Sequence, residues 1–490
     1  MSTTRKIPRC MSTQHPDNVT APFFSADALL GGEDEIKEAY YAYSHLGCDE
    51  QMWDCEGKEV DNYVVRKLLT RYKEYFIDNK LGEDVFLTLR VPNPTVEREE
   101  AKVLLETLEG IPRAFDTARA LSLDSPAPVF EVILPMTTSA RCLYRIYVYY
   151  RDFVAGKQDK RFCEGDVCIA DWIGSFEPHE VHVIPLMENK EGMLNAHNIV
   201  EEYVSKVKPP YQRVFLARSD PAMNYGLISS VLLNKIALQR LHRLSKNIGV
   251  EIYPIIGVGS APFRGNLKPT NVMNCLEEYP SVQTFTVQSA FKYDYPEREV
   301  MSAIDTIKAW ERKDPTEVDE AACLQVMDKL AREYMRQVEL LAPLINTVAK
   351  YVPARRKRKL HVGLFGYARS VGSVSLPRVI SFCASLYSIG LPPELLALNA
   401  LTADDRACLK SAYLHFEDDL RDAMAYFNED VLEILPGDLG DKIRRDIVDY
   451  EVNRQHREIT SRIIDNIKEQ SFANIQEQVV EAAWTRRFLG

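Results

Sequence analysis

Short apolar runs rich in β-branched residues recur along much of the chain, and most end abruptly on a polar or charged residue. They are Val85–Arg90, Val129–Leu134, Val181–Glu188, Val214–Asp220, Ile252–Gly257, Thr284–Gln288 and His361–Gly366. Near-continuous apolarity over such short lengths suits strands buried on both faces, as in a parallel sheet. Helix-length amphipathic stretches lie between them. Met223–Asn247 carries Leu227, Val231, Leu232, Ile236, Leu238 and Leu241 amid polar neighbours, and Glu317–Ala349 is longer and similarly patterned. Alternating strands and helices predict an α/β fold with a parallel sheet. These candidate strands, with one more near Met11–Thr13, fit a (β/α)8 barrel, in which chemistry gathers at the carboxyl ends of the strands. Arg90, Glu188, Asp220 and Gln288 fall there. After about Gly390 the strand pattern stops, and Asp404–Leu435 and Asp441–Arg487 read as long helices on either side of Pro436–Gly440. With no low-complexity linker and no internal repeat, residues 1–490 read as one barrel domain. Helical insertions and C-terminal helices over roughly 391–490 elaborate it.

Composition narrows the function. The chain has 490 residues, 46% hydrophobic and 27% charged, with a formal net charge of -11. An acidic chain has no global basic field to collect phosphates, which argues against nucleic acid. An anionic substrate would therefore need a local cluster of arginines. No apolar run is long enough to span a membrane, and the amino terminus lacks the apolar core of a signal peptide. Cytoplasmic location is the expectation. Ten cysteines show no paired framework, so reduced thiols are expected. Cys163 and Cys168 lack the second close pair or the histidines of a zinc site. The run Arg355–Lys359 reads as a solvated connection. His179 and His182 are spaced for opposite faces of a strand, not for chelation.

Four segments carry candidate chemistry. In Arg9–Asn18, Pro16 pushes His15 out of helical geometry, placing an imidazole on a stiff stretch rich in hydrogen-bonding groups. That suits a proton-handling or anion-binding histidine, although a polar terminal loop gives the same pattern. Glu188 and Asp220 each follow an apolar run. Barrel strands lie about 4.8 Å apart, so two strand-end acids can share one Mg²⁺, which favours one or two protein carboxylates. As residues of helix starts, the same acids could instead be caps. In Gly257–Gly265, glycines let backbone N–H groups approach an anion and Arg264 adds a guanidinium fork. In Gly366–Arg378, Arg369 and Arg378 bracket a Gly/Ser-rich turn from strand to helix, another pattern for an anion site.

Taken in order, these segments resemble the phosphoenolpyruvate carboxylase family, and the decamer R-C-M-S-T-Q-H-P-D-N with the chain length resembles its archaeal-type branch. T-Q-H-P-D-N is similar to the family's T-A-H-P-T-E, which makes His15 the counterpart of its catalytic histidine. L-T-L-R at Arg90 resembles L-D-I-R, which supplies an active-site arginine. P-L-M-E at Glu188 and R-S-D-P-A at Asp220 resemble the metal-holding P-L-F-E and Y-S-D-S-A. Gly259–Gly265 resembles the Gly-rich loop with Arg264 as its arginine, and Gln288 falls in the position of T-E-Q-G. Arg369 and Arg378 resemble two further arginines for the substrate's phosphate and carboxylate or for carboxyphosphate. Arg487 and Gly490 belong to a terminus resembling R-N-T-G, which turns back towards the active and inhibitor sites. The longer enzymes have a histidine and a second arginine where Ile255, Ile256, Gly257 and Val258 stand here. They have a lysine at the place of Met223, so those roles do not carry over.

The resemblance implies a Mg²⁺-dependent enzyme, with Mn²⁺ as an alternative, that joins phosphoenolpyruvate and bicarbonate to give oxaloacetate and phosphate. It also implies a homotetramer and a dicarboxylate inhibitor such as aspartate or malate. Two other readings stay open on the residues alone. One is a different Mg²⁺-dependent barrel enzyme acting on pyruvate or its phosphate. The other is a non-catalytic metabolite sensor. The carboxylase reading makes a structural demand: residues 9–18 must lie in the barrel mouth beside Arg264 and Arg369.

Overall fold

A computed structural model describes residues 5–55, 61–98, 101–357, 369–371, 374–447 and 450–490, with backbone alone at 369–371. Eight parallel strands follow one another in chain order: β1 (Cys10–Ser12), β2 (Glu50–Asp54), β3 (Phe86–Arg90), β4 (Glu131–Leu134), β5 (His182–Met187), β6 (Tyr211–Ala217), β7 (Glu251–Gly257) and β8 (Thr284–Val287). β8 pairs back onto β1, which closes the barrel. One strand differs from the sequence reading. All eight precede His361–Gly366, which lies outside the described residues, and the place expected for it is filled by β2.

Register explains how a strand as polar as Glu50–Asp54 fits. Side chains alternate inwards along each strand, and a layer of the interior draws on alternate strands. The lowest layer comes from β2, β4, β6 and β8. Arg213 Nη1 donates to Glu50 and Glu131 at 2.8 Å each, Nη2 to Glu50 at 2.7 Å and to Thr284 at 3.3 Å. All four side chains are buried. Buried ion groups of this kind contribute little net stability but punish any register that separates them. Above them Met11, Met52, Ile133, Ile184, Phe215 and Ile255 form an apolar plug, topped by Leu186 and Ala217.

Helices wrap this barrel. Gly226, at φ +88°, ends the helix Ser219–Tyr225 and starts Leu227–Ile248, so the expected Met223–Asn247 helix is two pieces. Leu227–Ile248 is buried on most of its faces because Glu320–Ala349 covers its outer side. The second helix is capped by Asp319. The two long C-terminal helices are also broken. They form Ala403–Ala412, Phe416–Met424, a 3-10 turn Glu429–Glu433, then Leu439–Asp446, Arg454–Lys468 and Ile475–Arg486. Thr402, Asn428 and Asn453 each accept a backbone N–H at the start of a piece, so local capping outcompetes helical continuation. The small β9 (Arg369–Val371) and β10 (Val374–Leu376) pair antiparallel outside the barrel.

The start of the basic run is not solvated, although Lys357 is exposed. Arg356 is buried and donates to Glu35 at 2.8 Å and to both oxygens of Glu38 at 2.9 Å, while Arg355 Nε reaches Asn18 O at 3.3 Å. All ten cysteines are free. Between β4 and β5, a projecting segment exposes Phe153, Phe162, Val167, Trp172 and Ile173. Among the described residues, no single helix is long and apolar enough to cross a membrane.

Candidate active site

The segment after β1 is held from every side. Thr13 N donates to Val287 O, Ser289 N to His15 O, and Leu489 N to Asp17 O. Asp17 takes Ala290 N at 2.7 Å on one oxygen and Arg264 Nη1 at 3.0 Å on the other. Asp294 receives Val19 N at 2.8 Å and Thr20 N at 2.7 Å. Behind the strand, Lys292 Nζ donates to Ser12 Oγ, Thr13 O and Glu38. Burial opposes the charge of Glu38, but Arg356 and Lys292 outweigh it and hold its pKa at about 2. The segment is therefore part of the barrel mouth, beside Arg264 as the carboxylase reading demands. The side chain of Arg369 falls outside the described residues.

His15, Arg90, Glu188, Asp220, Arg264 and Gln288 line one cavity of about 60 Å³ at the carboxyl ends of the strands. His15 Nδ1 lies 3.0 Å from Thr13 Oγ1. Arg90 forks onto Asp54 at 3.0 and 2.8 Å. Glu188 Oε2 accepts Met136 N at 2.5 Å, and Met136 sits at φ +48°. A non-glycine residue in the left-handed region beside a strand-end acid is local strain of the kind found at functional sites.

The capping alternative for the two acids does not fit. The helix after Glu188 is capped by Asn189, which accepts Gly192 N at 2.7 Å. Asp220 lies inside the helix Ser219–Tyr225, whose N-cap position is Arg218. Both carboxylates instead face the cavity. As hard oxygen donors from β5 and the start of the helix after β6, they suit a divalent cation that keeps waters and substrate oxygens. No cluster of three or more acidic, histidine or cysteine ligands occurs among the described residues.

Arg264 is the hub. Its guanidinium donates to Asp17 at 3.0 Å, to Gly490 O at 2.7 Å, to Ser219 Oγ at 3.2 Å and to Gln288 Oε1. Burial pushes the Asp17 carboxyl up, while Arg264 and the backbone N–H groups of Ala290 and Ser260 pull it back down. The Gly-rich segment works differently from the sequence expectation. Gly259 N is spent on Arg264 O, and a Cβ at Gly259 would stand 2.9 Å from Arg264 Cζ. The missing side chain makes room for the guanidinium; it does not free an N–H for an anion.

The remaining candidates separate. Gly490 is buried, and a Cβ there would overlap Ile380 O at 2.1 Å. Arg487 points away, exposed and stacked 5.2 Å over Tyr295. The buried arginine of that segment is Arg486, 2.9 Å from His456 Nε2. Its pKa is lowered to about 10 by burial. Arg378 is exposed at the N-cap of Val379–Ser388, and Val379, not Arg378, lines the cavity. Sequence reasoning passed over Arg218, which lines the cavity at 1% exposure. Its place two residues before Asp220 was the available signal.

Comparison with known proteins identifies the family. A family profile described as phosphoenolpyruvate carboxylase matches residues 7–490. Phosphoenolpyruvate carboxylase of Methanothermobacter thermautotrophicus is 54% identical over 488 residues, covering 99% of this chain and 100% of its own length. That of Methanospirillum hungatei is 54% identical over 485 residues, with 99% and 100% covered. That of Halobacterium salinarum is 50% identical over 492 residues, with 99% of each covered. Among solved structures, the Haloferax volcanii malate synthase magnesium/glyoxylate complex aligns at TM-score 0.40 and 10% identity, over 86% of this chain and 98% of that one. Similarity of that order carries no functional argument.

Proposed function

The chain belongs to the phosphoenolpyruvate carboxylase family and converts phosphoenolpyruvate to oxaloacetate; we propose that the residues of the barrel-mouth cavity carry the steps. In this reading an oxygen of bicarbonate attacks phosphorus, the bond from phosphorus to the enol oxygen breaks, and carboxyphosphate and pyruvate enolate result. His15 then takes the proton of carboxyphosphate, whose C–O bond breaks to release CO₂ and phosphate, and returns that proton to the phosphate. The third carbon of the enolate attacks CO₂ to give oxaloacetate.

The observation that carries this assignment is the convergence of His15 with Arg264, Gln288, Glu188 and Asp220 in one cavity. In the tautomer this role requires, Nδ1 donates to Thr13 Oγ1 at 3.0 Å and Nε2 is the basic nitrogen. Arg264 and Arg90 hold anionic oxygens of the phosphoryl and carboxyl groups, with Arg369 and, from outside the cavity lining, Arg378 assigned the same task. Glu188 and Asp220 would hold Mg²⁺, or Mn²⁺ in its place. When bound, the metal supplies Lewis-acid stabilisation of negative charge on an oxygen. A closed cavity matters because water would protonate the enolate to pyruvate.

His15→Asn tests the assignment. The expected result is loss of oxaloacetate formation with Mg²⁺ and substrate binding retained; carboxylation at a near wild-type rate contradicts it. The reading extends to a cytoplasmic homotetramer. The exposed Trp172, Ile173, Phe153 and Phe162, flanked by Lys160, Arg161 and Glu164, support a self-complementary contact between copies. It extends also to inhibition by a dicarboxylate such as aspartate or malate, acting through the tail that brings Gly490 to Arg264.

A further inference from the structure

Among the described residues, the large buried arginines divide by what neutralises them. Arg213 has Glu50 and Glu131, Arg264 has Asp17, and Arg356 has Glu35 and Glu38. Arg486 has no carboxylate, but both its terminal nitrogens are occupied, by His456 and Leu489 O. Arg218 is the exception. Its Nε donates to Tyr279 OH at 3.2 Å and its Nη1 to Phe263 O at 3.3 Å. Among the described residues it has no carboxylate within ion-pair distance, and its Nη2 makes no hydrogen bond. That nitrogen is not among the sealed, orphaned atoms, unlike Nε of Arg213 and Arg356.

Arg218 lines the same cavity as Glu188, Asp220 and Arg264. A buried guanidinium without a counter-charge is expensive, and a bound anion removes the penalty. Arg264 already spends four of its five N–H donors on protein acceptors, whereas Arg218 spends two.

We infer that Arg218 is an anion-binding residue of the cavity, whose free Nη2 takes an oxygen of the substrate's phosphoryl group and of the phosphate left after carboxylation. The assignment rests on the carboxylase reading for the identity of the anion. A purely structural alternative exists, because the bond to Phe263 O also braces the turn Pro262–Arg264.

The experiment uses the full-length enzyme with Mg²⁺ and inorganic phosphate as the calorimetric probe, alongside steady-state rates with each substrate varied. Arg218→Met should weaken phosphate binding and raise KM for phosphoenolpyruvate by about 10- to 100-fold, the loss of one charge-assisted bond, with KM for bicarbonate changed less than about threefold. Tyr279→Phe removes a brace but keeps the charge, and should bind phosphate within about threefold of wild type. Phosphate affinity unchanged in Arg218→Met overturns the assignment. So does a loss in Tyr279→Phe as large as in Arg218→Met, or a loss confined to bicarbonate. If Arg218→Met does not fold, Arg218→Lys decides. A point charge without the fork should bind phosphate about 3- to 10-fold more weakly, and unchanged affinity overturns the inference. A wild-type enzyme that binds phosphate through Arg218 but forms no oxaloacetate would overturn the carboxylase reading alone.

Discussion

Gly259→Ala should damage catalysis while leaving the fold intact. A Cβ at this position would lie 2.9 Å from Arg264 Cζ, 3.0 Å from Nη1 and 3.1 Å from Nη2, where ordinary contact begins at 3.4 Å. The guanidinium must retreat by roughly half an ångström, and it has nowhere slack to go. Its bonds to Asp17 at 3.0 Å and Ser219 at 3.2 Å would stretch past useful length. A hydrogen bond to a charged group contributes about 1.5–3 kcal/mol. Losing one in the transition state therefore lowers kcat/KM by roughly one to two decades, at about 1.4 kcal/mol per decade. Gly259 is not in the left-handed region, so alanine adds no backbone strain, and the melting temperature should move by only a few degrees. The assay is oxaloacetate formation coupled to NADH oxidation, with phosphoenolpyruvate varied. Gly110→Ala is the control: its Cβ meets only Arg113 Nη2 at 3.5 Å, within the helix Ala101–Leu121. It should leave activity alone and stabilise by about 0.5–1 kcal/mol. A Gly259→Ala enzyme with kcat/KM within twofold of wild type would refute the packing argument.

Two further perturbations probe the scaffold. Arg213→Met leaves Glu50 and Glu131 facing each other unpaired at the base of the barrel. Urea unfolding should show a loss of about 3–5 kcal/mol, with much of it recovered when both acids are also changed to Gln; an unchanged midpoint refutes it. Asp294 has its pKa raised by burial to about 7, against the backbone N–H bonds from Thr20 and Val19. The folded state then holds a proton that the unfolded state releases near pH 4, so stability contributed by this group falls as pH rises from about 4 to 7. Melting temperatures across that window should show the decline in wild type and a shallower one in Asp294→Asn; equal slopes would contradict the assignment.

Strands whose residues face apolar neighbours on both sides were legible, within a few residues at each end. β2 was not, because Glu50 and Asp54 point into the barrel to meet Arg213 and Arg90, and such a strand carries no apolar run. His361–Gly366 has the apolar pattern, yet the barrel closes without it. The C-terminal helices read as continuous because periodicity survives across a break, while Asn428 and Asn453 cap new starts. Arg356 looked solvated because its partners, Glu35 and Glu38, lie more than 300 residues away. The same reason hid the joining of Gly490 to Arg264 and the pairing of Asp17 with that arginine. His15, Glu188 and Asp220 were legible because each closes or follows a strand. Arg218 was passed over although it stands two residues before Asp220, since the lack of a carboxylate partner shows only once its surroundings are known.

Carboxylation of phosphoenolpyruvate in this cavity should need bicarbonate and Mg²⁺ together. The most direct test is coupled oxaloacetate formation by the purified enzyme, with bicarbonate and Mg²⁺ omitted in turn. Oxaloacetate should form only when both are present, with phosphate released in equal amount. Turnover of phosphoenolpyruvate that proceeds equally well without bicarbonate would contradict it.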